Sequence, residues 1–287
     1  MKSILSVFCL FLTLSANAQN KEGNFHLDKD FTIAATGILR LNSSDAKVYI
    51  TGSSRTGAHV KIDREISTKG FVFGHENFSV DVFEENGNLA IREHSSSVSV
   101  GVVGYHYEKY TIYIDAPEGT SLFIKGDDGD YWIRNIAGEI SLDVDDADVE
   151  LSHCTGDKFE FRLDDGDIKM DGGKGRLEIN GDDSDIQIRN ASFSFVEAKI
   201  DDGDLVIETS LDDKGEYFVD AQDGLVSLTI TKGGGRFDIR HDDGRVIADS
   251  GFSTVEDSED HTRFTLASGS AKVDIRADDA RVRLTSR

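Results

Sequence analysis

Five aspartate-rich tetrapeptides are the part of this sequence best equipped for chemistry. They are Asp127-Asp128-Gly129-Asp130, Asp145-Asp146-Ala147-Asp148, Asp164-Asp165-Gly166-Asp167, Asp182-Asp183-Ser184-Asp185 and Asp201-Asp202-Gly203-Asp204. Weaker copies follow at Gln222-Asp223-Gly224-Leu225, Asp242-Asp243-Gly244-Arg245 and Asp278-Asp279-Ala280-Arg281. If the copies stack in register, Asp128, Asp146, Asp165, Asp183 and Asp202 form one column, in which neighbours about 4 Å apart repel by about 1 kcal/mol even in water. Calcium would offset that repulsion, because it is a hard cation that gathers several oxygens, and glycine- and aspartate-rich solenoids hold it between coils. The spacing here is not the nonapeptide pattern, however, and aspartate also favours turns by accepting backbone N–H bonds. The five residues stand as candidate calcium ligands beside that plainer reading, and no other cofactor is expected.

Other chemistry is thinly represented. No GxSxG, HExxH, CxxC or Walker pattern occurs, and the eight histidines are scattered. His94 and His106 flank a long segment and could meet, but two imidazoles without a third ligand make a poor metal site. His241 falls on an inward position beside an acidic turn, which suits a satisfied, partly buried ring. Carboxylate pairs of the kind glycosidases use are expected by chance among so many aspartates, so they do not argue for an enzyme. Outward apolar residues are a different kind of candidate: Phe123, Trp132, Val206, Phe218 and Ile247 would mark a partner surface if they gather, or a sheet face covered by loops if they do not.

The acidic turns are positioned by a repeat. Between first residues they step by 18, 19, 18, 19, 21 and 20, then by 36, which reads as two coils of 18. Apolar residues hold their phase around each turn: Phe159, Phe161 and Leu163 precede one and Ile168 and Met170 follow it, as Val196, Ala198, Ile200 and Leu205, Ile207 do in the next but one. Period two on both flanks means two strands per coil. The residues between, such as Glu160 and Arg162 or Asp238 and Arg240, suit a solvated face. One coil offers about five inward side chains, roughly 10 kcal/mol of burial, against about 1–2 kcal/mol of backbone ordering per residue. A coil cannot fold alone, and stacking at about 4.8 Å shares the core between neighbours. The expected fold is all-β, a single-chain β-solenoid resembling a parallel β-helix, with coils of roughly 18–20 residues.

Composition agrees. One proline among 28 glycines fits paired strands with tight turns. Residues 1–18 carry Lys2, a short apolar run and Ala16-Asn17-Ala18, the pattern of a cleaved signal peptide. Removal of Lys2 moves the net charge from −23 to −24, which argues against nucleic acid and anionic bilayers as partners and resists self-association. A secreted monomer in the periplasm or at the cell surface is expected, not inserted in a membrane after signal removal. Its one remaining cysteine, Cys154, reads as a buried thiol.

Residues 19–115 are read as an irregular N-terminal β segment, continuous with regular coils over 116–287. One degenerate coil is audible there, Leu39 and Leu41 before Asn42-Ser43-Ser44-Asp45 and Val48 and Ile50 after it. Runs at 58–66, 78–83 and 89–93 read as strands, the last two joined through Asn86-Gly87, a hairpin signal. Residues 67–77 and 95–107 read as insertion loops.

With these residues in view, the chain resembles the bacterial DUF4097 family of secreted β-strand-repeat proteins, described as candidate adhesins. GILRLNSSDAKVYI, IDAPEGTSLFI and the run IRNIAGEISLDVDDADVELSHCTGD carry the likeness, over 37–284. The resemblance implies a β-solenoid in the cell envelope or at the surface and supplies no catalytic residue. The full set of DDxD turns and a stretched segment at 251–261 depart from it. The expected function is a non-enzymatic binding or scaffold protein of adhesin type, its partner a surface glycan or protein. A carbohydrate-active β-helix enzyme and a structural envelope protein with calcium-stabilised turns are the alternatives.

Overall fold

The computed structural model describes residues 23–267 and 269–287, and every regular element in them is a strand. At the N-terminal end lie β1 (Phe25–Phe31), β2 (Ile38–Ser43), β3 (Lys47–Ser53), β4 (Ala58–Glu85) and β5 (Asn88–Pro117). β2 and β3 make the first coil, with Leu39, Leu41, Val48 and Ile50 buried in strict alternation. β4 and β5 form a long antiparallel hairpin that turns at Asn86-Gly87, whose φ angles of 51° and 78° are the positive pair that a tight hairpin turn demands.

β5 is itself a coil. Its start pairs in parallel with β2, Leu89 opposite Leu39, and its end with β3, Ile112 opposite Val48. Between those ends, where other coils turn within four residues, it makes a long excursion. Residues 67–77 and 95–107 are not loops: they pair with each other, Ser67 opposite Tyr107, Lys69 opposite Tyr105 and Phe71 opposite Val103. The Asn86-Gly87 turn sets the register from Glu85 opposite Asn88 as far as His75 opposite Val98, and a bulge between Phe73 and His75 shifts it by one residue for the outer pairs. The result is a two-stranded arm on the corner of the solenoid. At its root Arg64 is buried, with Nε donating to Glu108 at 2.5 Å and the guanidinium 4.0 Å from the Phe78 ring.

The regular coils follow: β6 (Ser121–Gly126), β7 (Asp130–Arg134), β8 (Ile140–Asp146), β9 (Val149–Cys154), β10 (Lys158–Gly172), β11 (Lys174–Asp202), β12 (Asp204–Ser210), β13 (Glu216–Ala221) and β14 (Leu225–Lys232). β10 and β11 run straight through the acidic corner, so each contributes to both sheets. In the first sheet Phe159 lies opposite Ile140 and Leu177; in the second, Ile168 lies opposite Val149 and Ile186. All six side chains are buried, and the core is a continuous column between the two sheets. Parallel in-register pairing of equivalent residues is what a β-solenoid means physically, and the repeat phase anticipated it.

Both corners repeat. At the acidic corner the third turn residue varies with the backbone: Gly166, Gly203 and Gly224 take positive φ while Ala147 and Ser184 do not, and a methyl on Gly166, at φ +111°, would lie 2.3 Å from the carbonyl oxygen of Ala147 one coil below. At the opposite corner Asn135, His153, Gly172 and Asn190 all take positive φ, in steps of 18, 19 and 18. Asparagine and glycine tolerate that region best, and their recurrence is a second period that the acidic turns overshadow.

The C-terminal strands are β15 (Gly235–His241), β16 (Val246–Ala248), β17 (Phe252–Asp257), β18 (His261–Leu266), β19 (Ala271–Ala277) and β20 (Arg281–Ser286). The 36-residue step is not two successive coils. Half of it is an antiparallel hairpin, β17 and β18, laid on the outer edge of β15. β19 then returns between β13 and β15, with Val273 opposite both Tyr217 and Phe237, and β20 lies between β14 and β16. The last coil in sequence is thus the penultimate coil in space. The N-terminal end does the same: β2 pairs with both β5 and β6, and β3 with both β5 and β7. Antiparallel strands close both ends, β1 on β4 and β17 on β18, and their short, charged sequences discourage pairing with other chains.

Candidate functional site

The acidic corner is built where each inward apolar run must cross from one sheet to the other. Asp165 lies opposite both Asp146 and Asp183, and Asp146 N donates to the Asp127 carbonyl oxygen at 3.1 Å, so the turns of successive coils are stacked. On the next coils Asp223 N donates to Asp201 O at 2.9 Å and Asp279 N to Gln222 O at 2.8 Å. Asp128, Asp146, Asp165, Asp183 and Asp202 therefore belong to one file of turns. Many carboxylates beside them have protein partners: Asp130 meets Lys47 at 2.9 Å, Asp167 meets Lys169 at 3.2 Å, and Asp185 accepts the Asp204 N–H at 2.8 Å. Among the described residues no group of three or more His, Cys, Asp or Glu side chains is arranged to hold a metal ion.

Like charge leaves its mark on the file. The carboxyl of Asp45 is held above its ordinary value by burial first and then by Asp128, Glu108, Glu93 and Asp127. Asp182 is raised likewise, by desolvation and then by Asp201, Asp164, Asp165 and Asp183. A carboxylate whose folded value is raised makes the folded state bind its proton more tightly than the unfolded chain does. Its ionisation opposes folding above that value, and the opposition is relieved as pH falls through it. Asp182→Asn is thus expected to raise the melting midpoint at neutral pH and low salt. The gain should shrink at molar salt, where the Debye length is about 3 Å, and disappear at a pH below the carboxylate range. The same melts in chelator and in millimolar calcium are expected to coincide; a midpoint raised by calcium would put a shared ion on the file.

A second feature is built on the outer face of the second sheet. Tyr113 on β5, Tyr49 on β3 and Trp132 on β7 are direct register neighbours and point outward. Their rings stack in parallel, Tyr113 to Tyr49 at 4.8 Å and 11° and Tyr49 to Trp132 at 4.7 Å and 9°. The spacing follows from the ladder itself, since strands about 4.8 Å apart bring equivalent flat side chains to stacking distance. The next row along these strands is polar: Asp115, Thr51, Arg134 and Ser152 lie side by side, and Arg134 Nε donates to Thr51 Oγ1 at 2.9 Å. Aromatic wall and polar row enclose a shallow groove of about 360 Å³, which continues past Trp132 to Glu150. Within the wall each ring covers its neighbour, and the row ends in the exposed Tyr113 ring on the Lys61 side and in the indole on the Glu150 side. Lys47 lies 5.8 Å from the indole centroid, its ammonium held protonated above its usual range by the hydrogen bond to Asp130 and then by that group's charge.

Of the outward apolar residues singled out by the sequence, only Trp132 joins this cluster. Val206 and Ile247 share its row, but Glu150, Lys169 and Gln187 come before Val206, and Ser227 and Arg283 before Ile247. Phe123 and Phe218 face out from the other sheet, Phe123 beneath the Arg40 guanidinium at 5.6 Å and Phe218 tilted against Phe195 at 6.1 Å. Tyr49 and Tyr113 were missed. Their signal was the shared pattern Val48-Tyr49-Ile50, Ile112-Tyr113-Ile114 and Tyr131-Trp132-Ile133, an aromatic at one phase of three strands that sequence order does not place side by side.

His94 and His106 have separate partners. His94 lies 3.2 Å from Asp81, and His106 bonds Thr68 at 3.2 Å. His241 is half-buried, with Nε2 2.9 Å from Thr262 Oγ1. Cys154 is buried, and burial pushes its thiol up, away from the reactive thiolate. The proposed signal peptide, 1–18, lies outside the described residues. Among those residues no helix is long and apolar enough to cross a membrane.

Residues 36–285 match the family model described as Toastrack DUF4097. Two solved structures are similar in outline. One is a candidate cell adhesion protein from Clostridium sporogenes, 11% identical, with 92% of this chain and 100% of that one covered at a TM-score of 0.25. The other is a candidate adhesin from Bacteroides fragilis, 14% identical, with 91% and 97% covered at a TM-score of 0.46. No curated protein matches the chain in sequence.

Proposed function

The chain belongs to the Toastrack DUF4097 family, and from that premise we propose that it is a non-enzymatic binding protein of adhesin type, exported to the cell envelope or surface. Its contact face is the groove beside the aromatic wall, and its ligand a surface glycan. The observation that carries this reading is the pairing of a rigid aromatic row with a polar row on one flat, exposed sheet face. A saccharide presents an apolar C–H face and a rim of hydroxyls. The aromatic row that ends in Trp132 suits the first, and Asp115, Arg134, Glu150 and Ser152 supply donors and acceptors for the second.

Binding is favoured over catalysis at this groove because the ionised side chains along the regular coils are arranged as neighbour-to-neighbour ladders and do not converge on it. Lys125 with Asp143 at 3.1 Å and Lys272 with Glu216 at 3.2 Å are typical. Strong negative charge suits a protein kept soluble among acidic surfaces. A glycan-array screen of the mature chain, with and without calcium, tests the reading. Trp132→Ala is expected to weaken capture at least tenfold, in line with loss of one well-packed aromatic anchor of about 2 kcal/mol, and Glu150→Gln by less. Glycan binding that survives both substitutions, or capture of protein partners only, would overturn it.

A further inference from the structure

The arm made by residues 67–77 and 95–107 has no part in the groove. Opposite residues of an antiparallel pair point to the same side, so Ser67, Tyr107, Lys69, Tyr105, Phe71, Val103 and Phe73 share one face. On it Phe71 is 75% exposed, Phe73 60%, Val103 66%, Tyr105 56% and Tyr107 49%. These are the highest exposures of large apolar side chains among the described residues apart from Val255, and they lie side by side. Scattered apolar residues need no partner; a contiguous stripe of five on a projecting ribbon does.

Charge indicates what the partner is. The two arm segments carry one lysine and one glutamate between them, in a chain whose formal net charge is −23. Aromatic residues on a neutral arm can meet a second neutral, apolar surface while the acidic bodies behind stay apart. The arm itself is such a surface. Its exposed side chains present roughly 600 Å², taking aromatic residues at about 150–250 Å² each. Two copies together reach roughly 1,200 Å², the lower end of specific interfaces. Shape allows it as well. Beside Phe73 the opposite position is Gly101, where a Cβ would meet nothing within 4 Å, so each arm offers a notch next to a protruding ring.

We propose that the aromatic face of this arm docks on the same face of a second copy, giving a two-fold dimer held at the arms with the acidic solenoids directed apart. Self-pairing of one patch is the ordinary geometry of a closed homodimer. The charge that resists association elsewhere on the molecule makes this dimer salt-dependent in a telling direction: screening of body–body repulsion strengthens it.

Sedimentation equilibrium of the mature chain over the micromolar range tests this, at low and high salt, beside Phe71→Ser/Tyr105→Ser and a control, Phe218→Ser, on the opposite sheet. The expected result is a dimer that tightens several-fold with salt, is weakened at least tenfold by the arm double variant and is unchanged by the control. A chain that stays monomeric throughout, or a dimer indifferent to the arm substitutions, overturns the proposal. Flotation with zwitterionic phosphatidylcholine vesicles is run in parallel. A monomer that floats, and loses flotation in the arm variant, would assign the same face to a lipid surface and overturn the dimer. Glycan capture by the Trp132 groove is a separate readout, unaffected by either outcome.

Discussion

A chain ended after Ala267 is expected to lose its whole C-terminal end, not its last coil alone. If the coils stacked in chain order, removing β19 and β20 would strip one terminal layer and leave the rest capped. Instead β19 is the layer between β13 and β15, and β20 the layer between β14 and β16. Their loss removes the buried side chains of Val273, Ile275, Val282 and Leu284, roughly 6–12 kcal/mol of burial at about 1.5–3 kcal/mol each. It also leaves β15 to β18 with no sheet to join. Limited proteolysis of this truncation should cut throughout 233–267 while the coils from β6 to β12 stay protected, as stacked repeats lose stability locally. The contrasting deletion, 235–268, removes the outermost coil with its closing hairpin and leaves β19 and β20 paired with β13 and β14, so the remaining coils should stay protected. Equal protection of 233–267 with and without β19 would contradict the interleaved order.

The second large effect is expected in the middle of the stack. Phe159 is fully buried, lies opposite Ile140 and Leu177, and has ring partners Phe161 at 6.2 Å and Phe193 at 6.1 Å. Three layers and both sheets converge on it, so no single neighbour can move to fill its place. Phe159→Ala is expected to cost about 3–5 kcal/mol. Arg162, three residues along the same strand, points outward and is exposed, and Arg162→Ala should stay within about 0.5 kcal/mol. Urea unfolding of both variants checks the pair. A small loss at Phe159 would mean that the core is not shared between coils.

Much of this architecture was legible because a coil repeats its own physics. Each pass needs two inward apolar runs and a tight corner, so Phe159, Phe161 and Leu163 can be aligned with Val196, Ala198 and Ile200 without coordinates. The Asn86-Gly87 hairpin was equally plain, since only certain residues accept its backbone. Residues 67–77 and 95–107 were harder to read. Their Gly70 and Gly104 break the alternation, and they become partners only through the Asn86-Gly87 turn together with a one-residue bulge between Phe73 and His75 that the sequence does not announce.

What the sequence determined by itself is the rung: its length, its inward and outward faces and its acidic corner, all properties of residues within about twenty positions of each other. The order of the rungs, and whatever depends on it, is set only when the coils pack against one another. Any coil's apolar edge suits any other's, so local pattern cannot say that β2 and β3 slip between β5 and the β6–β7 coil, or β19 between β13 and β15. The Tyr113, Tyr49 and Trp132 wall exists because of the first of these choices: it joins side chains from three coils whose order in space differs from their order along the chain.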